Sequence, residues 1–286
     1  DFSLRAATMF NRLTNLAGLI AFATALFLSA PVIAADNYIV GVVPQFATQI
    51  ISSTWEPLLE ELAAKTGDTF ELVIETDITQ FEVALERGDY DIAYMNPWHA
   101  VIAFETQGYV PIVKDGANSL KGILIVKADS EISEVSQLDN AEIAFPSPNA
   151  LSASLLMRTE LATLHGLTVT PLYVRTHPSV YLNVALGKSL AGGGVLRTLR
   201  AQPQSLQDQV KIIYETREVS PHPIVAHRSI SAEARLKIAN ALLEIAAEPE
   251  GAALFAGIPM QQPTSAKLEE YLALRDWRLR EFYVAN

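Results

Sequence analysis

Ser147-Pro148-Asn149-Ala150-Leu151-Ser152 combines residue types suited to holding an anion rather than transforming it. The stretch follows a short apolar run, Ile143-Ala144-Phe145, and leads into helical apolar spacing that ends at His165 before Gly166. A helix start exposes unpaired N–H groups and partial positive charge, the two requirements for an anion cradle. Ser147, Asn149 and Ser152 can add side-chain donors. Many strand-to-helix turns are only connections, so the neighbouring elements must decide whether this one is a site.

Three further places carry chemistry. Asp89-Tyr-Asp-Ile-Ala-Tyr94 reads as a strand, followed by Asn96-Pro97-Trp98-His99. Asn96 and Pro97 suit the N-cap and first position of a helix, and capping is the first role expected of Asn96. Tyr94, Trp98 and His99 have no capping role and are candidate ligand contacts, with core packing the alternative for Trp98. His177 stands after a strand, in Arg175-Thr176-His177-Pro178-Ser179, and can donate to an oxyanion. Gly192-Gly193-Gly194 is followed by Arg197, a possible counter-charge, with a surface ion pair as the ordinary alternative. The glycines lack the spacing of a P-loop or a dinucleotide fingerprint and read as a place of close backbone approach, at a crossing between lobes.

Signatures of catalysis are missing. There is no G-x-S-x-G and no H-E-x-x-H, and the five histidines have no metal-ligand spacing. His222, between two prolines, reads as structural. No enzyme activity, metal or cofactor is expected.

The elements that must position these residues alternate. Strands are predicted at 38–43, 70–75 and 90–94, with helices at 48–65, 79–87 and 98–106 between and after them. In the first helix Trp55, Leu58, Leu59 and Leu62 form an apolar stripe that stops at Gly67. Strands at 110–114 and 120–127, a short helix at 133–138, strand 142–145 and helix 151–165 follow. Strand 170–174, helix 179–186 and strands 191–195 and 210–215 complete a second unit. The C-terminal part reads as helical, with Leu236, Ala239, Leu242, Leu243 and Ala246 in one stripe and a last helix over 265–282. Alternation of this kind implies two α/β lobes with largely parallel sheets, whose ligands bind beyond strand carboxyl ends. Strands 120–127 and 210–215 are the expected crossovers.

Residues 1–35 read as a signal peptide: Arg5 and Arg12, an apolar core from Leu16 to Ser29, and small residues that place cleavage near Ala34/Ala35. The whole chain carries a net charge of −11, and removing Asp1, Arg5 and Arg12 makes the remainder one charge more acidic. Such a balance disfavours nucleic acid and anionic lipid. There is no cysteine, so stability must come from the core rather than from disulfides. A soluble periplasmic monomer is expected.

The residues from 89 to 99, Ala144-Phe145-Pro-Ser147-Pro-Asn149, and Thr176-His177 followed by Gly187 resemble the phosphate/phosphite/phosphonate-binding proteins of ABC importers. The likeness spans about residues 36–286. It implies an α/β fold of two lobes, a type II periplasmic binding protein, each lobe a mixed, mostly parallel sheet flanked by helices. The expected boundaries are 36–118 for the first part of lobe 1, 119–213 for lobe 2, and 214–286 for the return to lobe 1. The implied function is capture of a small phosphate- or phosphonate-like oxyanion for a membrane permease. The alternative is a sensing subunit that presents its closed form to a sensor kinase. The implied ligand contacts are Tyr94, Trp98, His99, Ser147, Asn149, Ser152, His177 and Arg197. The family loop Asp-Pro-x-Ser-Thr-Ser-Gly reads Ser147-Pro148-Asn149-Ala150-Leu151-Ser152-Ala153 here, so Pro148 and Ser152 match while two hydroxyls are replaced by Ala150 and Leu151. Pro178 and Leu190 stand where the family has acidic residues, and Trp98-His99 where a Gly-Pro-x-x-Tyr loop is common. Backbone donors survive these changes; side-chain donors are lost.

Overall fold

The computed structural model describes residues 35–285, and the signal-peptide reading lies outside them. The first lobe is built on β1 (Asn37–Val42), β2 (Thr69–Val73), β3 (Ile92–Tyr94), β4 (Val110–Asp115), β10 (Ile224–Ala226) and β11 (Pro263–Ser265), in the order β11-β4-β10-β3-β1-β2. The second is built on β5 (Gly122–Lys127), β6 (Glu142–Phe145), β7 (Thr170–Tyr173), β8 (Ala191–Val195) and β9 (Val210–Glu215), in the order β7-β6-β8-β5-β9.

Both sheets are mixed, and the reason is the crossover. In the first sheet β1, β2, β3 and β4 share one direction, with β10 inserted antiparallel between β3 and β4 and β11 antiparallel at the edge. In the second, β6, β7, β8 and β9 share a direction and β5 is inserted antiparallel between β8 and β9. A strand arriving from the other lobe enters reversed, so its amino end lies where its neighbours have their carboxyl ends. Residues just before β5 and β10 therefore join the strand-end loops of both lobes.

The connecting segments cross together. Leu120 and Val219 exchange two backbone hydrogen bonds of 2.9 and 3.0 Å, an isolated antiparallel bridge between the outgoing and returning chains. β9 pairs with β5 as far as Glu215, so the return begins after that residue rather than at 213/214.

Helix α1 (Thr48–Thr66) buries Ile51, Trp55, Leu58, Leu59 and Leu62 and ends where Gly67 takes φ 75°. Helices α2 (Ile78–Arg87) and α3 (Pro97–Gln107) follow β2 and β3, and Asn96 caps α3 by accepting from the His99 N–H at 2.9 Å. In the second lobe α4 (Leu156–Thr163) and α5 (His177–Ala185) cover the sheet. Helix α8 (Ala232–Ala247), which follows two short helices α6 (Leu196–Arg200) and α7 (Gln204–Gln207), buries Ile238, Ala239, Ala241, Leu242 and Ile245. Leu236 is exposed, so the stripe begins one turn later than its spacing suggests.

Two expected helices come out differently. The turn at 151–155 is π-helical and only then becomes α4. The single helix over 265–282 is instead a sequence of short turns after β11, with Arg278 in the left-handed region at φ 59°. These turns lay Leu274 and Leu279 into the core in a way one straight helix does not.

Candidate functional site

The carboxyl ends of the co-directional strands meet between the lobes around a small cavity, with about 10 Å³ open to the centre of a water molecule. The first lobe supplies Val43 and Gln45 after β1, Asn96 after β3, and His222 before the reversed β10. The second supplies Ala150 to Ala153 after β6, His177 after β7, Val195 at the end of β8, and Leu120 before the reversed β5. Among the described residues, no acidic side chain, lysine or arginine lines it.

Its donors are unusually free. Ser152 is 2 % exposed and its Oγ has no partner. His177 is equally buried, and its Nε2 also lacks one. The N–H groups of Ser154 and Leu155 both reach the Ala150 carbonyl, at 2.8 and 3.2 Å. The N–H groups of Leu151, Ser152 and Ala153 therefore precede the first intrahelical donor, the Ser154 N–H. The π turn brings Ser152 and Ala153 close to the sheet, and two glycines make room: a Cβ on Gly122 would lie 2.0 Å from the Ser152 carbonyl oxygen, and one on Gly193 2.0 Å from that of Ala153. The glycine run thus serves the close approach of helical turns to β8 within the second lobe.

The histidines are neutral. Burial lowers His177 to about 4. Burial, with the neighbouring His99, His177 and Arg197, lowers His222 to about 3. His177 Nδ1 lies 3.3 Å from Thr198 Oγ1. When Thr198 turns its proton to Nδ1, Nε2 carries the ring proton into the cavity and can donate to an oxyanion. His222 Nε2 accepts from the Gln45 amide at 3.1 Å, and its ring stacks on Tyr94 with centroids 5.4 Å apart.

Of the eight residues named from the sequence, Ser152 and His177 line the cavity. Tyr94 stands behind His222 and faces a neighbouring cleft, its buried hydroxyl without a partner. Arg197 lines the same cleft and donates to the Gly257 carbonyl at 2.8 Å, across the lobes. The remaining four are not in the cavity. Trp98 is fully buried in the first lobe, with Arg280 5.6 Å over its ring. His99 Nε2 lies 2.7 Å from the buried Glu82 carboxylate. Asn149 uses its amide structurally: Nδ2 donates to Glu82 Oε2 at 3.1 Å and to the Val284 carbonyl at 2.8 Å, while Oδ1 accepts from the Val284 N–H at 3.0 Å. Ser147 is buried beneath the loop and does not reach the lining.

Sequence reasoning missed Gln45 and His222 and gave Asn96 only its cap. Gln45 carried a usable signal, since it follows a strand end like the loops that were singled out. His222 did not, because the strand it precedes, β10, is three residues long and its start is hidden by Pro221 and Pro223. Asn96 both caps α3 and donates across the lobes to the Asn149 carbonyl at 3.2 Å.

Residues 40–271 match the model of a family described as the phosphonate ABC transporter periplasmic substrate-binding protein. The chain belongs to this family. Its members capture substrate for an importer in the periplasm and are not enzymes. Solved structures share the fold. A binding component of an ABC phosphonate transporter from Pseudomonas aeruginosa is 16 % identical with a TM-score of 0.77, covering 87 % of this chain and 88 % of that one. PhnD1 from Prochlorococcus marinus, solved with methylphosphonate, is 12 % identical with a TM-score of 0.79, covering 87 % and 99 %. A Xanthomonas citri protein solved with ATP is 18 % identical with a TM-score of 0.71, covering 87 % and 100 %. At these identities the likeness speaks for the fold, and the family model for the role.

Proposed function

We propose that this family member captures a small phosphonate- or phosphate-like oxyanion at the inter-lobe cavity, whose present room for about one water molecule widens as the lobes part, and delivers it to an ABC permease. The carrying observation is that Ser152 and His177, whose Oγ and Nε2 have no partner among the described residues, line one buried space together with the first residues of the π turn, and that no carboxylate among the described residues lines it. Buried donors left unpaired cost about 1–3 kcal/mol each, a cost an oxyanion with several acceptor oxygens removes. Neutral donors can hold a buried anion because each hydrogen bond to a charged oxygen is stronger than one to a neutral partner.

The lobes, 36–118 with 214–286 and 119–213 with the adjustment at Glu215, part to admit the ligand and close by rotation about the Leu120–Val219 bridge. Export follows cleavage near Ala34/Ala35, which N-terminal sequencing of the secreted protein checks. The protein works as a monomer without nucleic acid.

The test is thermal-shift and calorimetric titration with phosphite, phosphate, methylphosphonate and sulfate. Stabilisation by at least one of the phosphorus oxyanions is expected, and none by any of them overturns the reading. Closure would equally serve a sensor subunit, a reading favoured by Ala150 and Leu151 lining the cavity where the transport family has hydroxyls. Permease and ATPase genes beside this one support import, and a kinase gene without them supports sensing.

A further inference from the structure

Beside the small cavity lies a much larger cleft, about 530 Å³, within the size of cavities that take small organic molecules. The two spaces share the wall formed by Val43 and Gln45. The cleft is itself inter-lobe, with its floor from α1 and β1 and its far side from Pro178 and α6. Phe46, Ile51, Trp55 and Tyr94 make the floor apolar and aromatic. Arg197 and Arg200 line the other side. Among the described residues, no acidic side chain lines it, in a chain whose net charge is −11.

Two details point to a ligand rather than to a solvent-filled gap. Tyr94 is 2 % exposed and lines this cleft, yet its hydroxyl has no partner, which burial makes costly. Arg197 is held toward the cleft by a single bond from Nη2 to the Gly257 carbonyl, and it has no carboxylate partner among the described residues. Arginine guanidinium groups present a planar fork of donors suited to a carboxylate.

We infer that this cleft is a subsite for the organic part of the ligand, and that the substrate class is a phosphonate whose apolar body carries a second acidic group. The inference rests on the oxyanion reading for the head group, which sits on Ser152 and His177. The body lies on Trp55 and Phe46, and the second acid pairs with Arg197 and Arg200 and accepts from the Tyr94 hydroxyl. Gln45, half-buried in the shared wall, shifts aside to join the two spaces. A cleft that bears cations and no acid rejects a ligand whose tail ends in an amine, by leaving like charges together.

Isothermal titration of the exported protein with methylphosphonate, phenylphosphonate and 4-phosphonobenzoate tests this. The expected order is 4-phosphonobenzoate tightest, at least tenfold over methylphosphonate, with phenylphosphonate between. In the Arg197→Ala/Arg200→Ala variant the ratio between the first and last should fall to within about threefold. A melting curve of the variant confirms that it is folded, and Tyr94→Phe, which keeps the ring, should lower the ratio by a smaller factor. Binding of methylphosphonate with no gain for 4-phosphonobenzoate, or a gain that the arginine substitutions leave intact, overturns the subsite and leaves the oxyanion reading standing. Should none of phosphite, phosphate and the three phosphonates bind, the head-group reading fails. Benzoate then decides the cleft alone: a tryptophan fluorescence change lost in the arginine variant supports it, and no change overturns it.

Discussion

Ser152 and His177 differ from Tyr94, Trp98, His99 and Ser147, whose buried polar atoms also lack a partner among the described residues, in lining the inter-lobe cavity. Removing either should weaken oxyanion binding without unfolding the protein. Ser152→Ala is expected to raise the Kd for a bound phosphorus oxyanion about tenfold, and His177→Ala ten- to a hundredfold, since hydrogen bonds to charged groups are worth about 1.5–3 kcal/mol. Calorimetry on proteins with unchanged circular dichroism checks both. The histidine also sets a pH dependence. Folded His177 stays neutral down to about 4, whereas unfolded it titrates near 6.5. Above that value both forms are neutral and the protein has its full stability. As pH falls from 6.5 toward 4 the unfolded chain binds the proton first and stability is lost, by about 3 kcal/mol for this residue. The Tm difference between the parent and His177→Asn should therefore narrow between pH 7 and pH 4.5, and a difference independent of pH contradicts the neutral, buried ring. At this scale the strand-end position of His177 and Ser152, which both line the cavity, was legible in the sequence, because it is a property of local order. The bonds of His99 and Asn149 to the Glu82 carboxylate on α2 were not legible, because no local pattern announces a partner so far away in the chain.

The deciding element is the π turn before α4. One extra residue in a turn has no sequence signature, so the apolar spacing reads simply as a helix from 151. What was legible was the glycine run that accommodates it. A methyl group at Gly193 would lie 2.0 Å from the Ala153 carbonyl oxygen and 2.6 Å from the Phe145 ring. Backbone must move to relieve such an overlap. Gly193→Ala is expected to destabilise the protein by about 1–3 kcal/mol and to weaken oxyanion binding as well, because the turn that carries Ser152 is displaced. Urea unfolding and titration of the same sample check the two effects together. Loss of stability with an unchanged Kd would detach the turn from the site.

At the scale of the molecule the question is what holds the lobes together. The exposed pair Arg175–Asp77, 3.6 Å apart with the arginine 76 % exposed, contributes little. The buried bonds of Asn149 to Glu82 and to the Val284 backbone, joined by Arg158 donating to the Phe282 carbonyl at 2.9 Å, tie the second lobe to α2 and to the C-terminal segment. Asn149→Ala removes the bonds that join the second lobe to α2 and to the C-terminal segment, a loss of about 1–3 kcal/mol borne by the closed form. Small-angle scattering of the ligand-free variant should give a larger radius of gyration than the parent, and ligand should reverse the change. An identical radius would show that other contacts determine closure.

The sequence by itself determined the alternation of elements, the two α/β units, the caps at Asn96 and Gly67, and the strand-end loops that line the inter-lobe cavity. These depend on neighbours a few residues away and on the period of apolar positions. It could not determine which strand-end residues face each other. The reversed entry of β5 and β10 brings Leu120 and His222 to the same rim as residues far away in the chain, and the fold of the C-terminal segment binds Asn149 into the scaffold. Those outcomes are set by the packing of whole sheets and the pairing of buried polar groups, which only the tertiary structure decides.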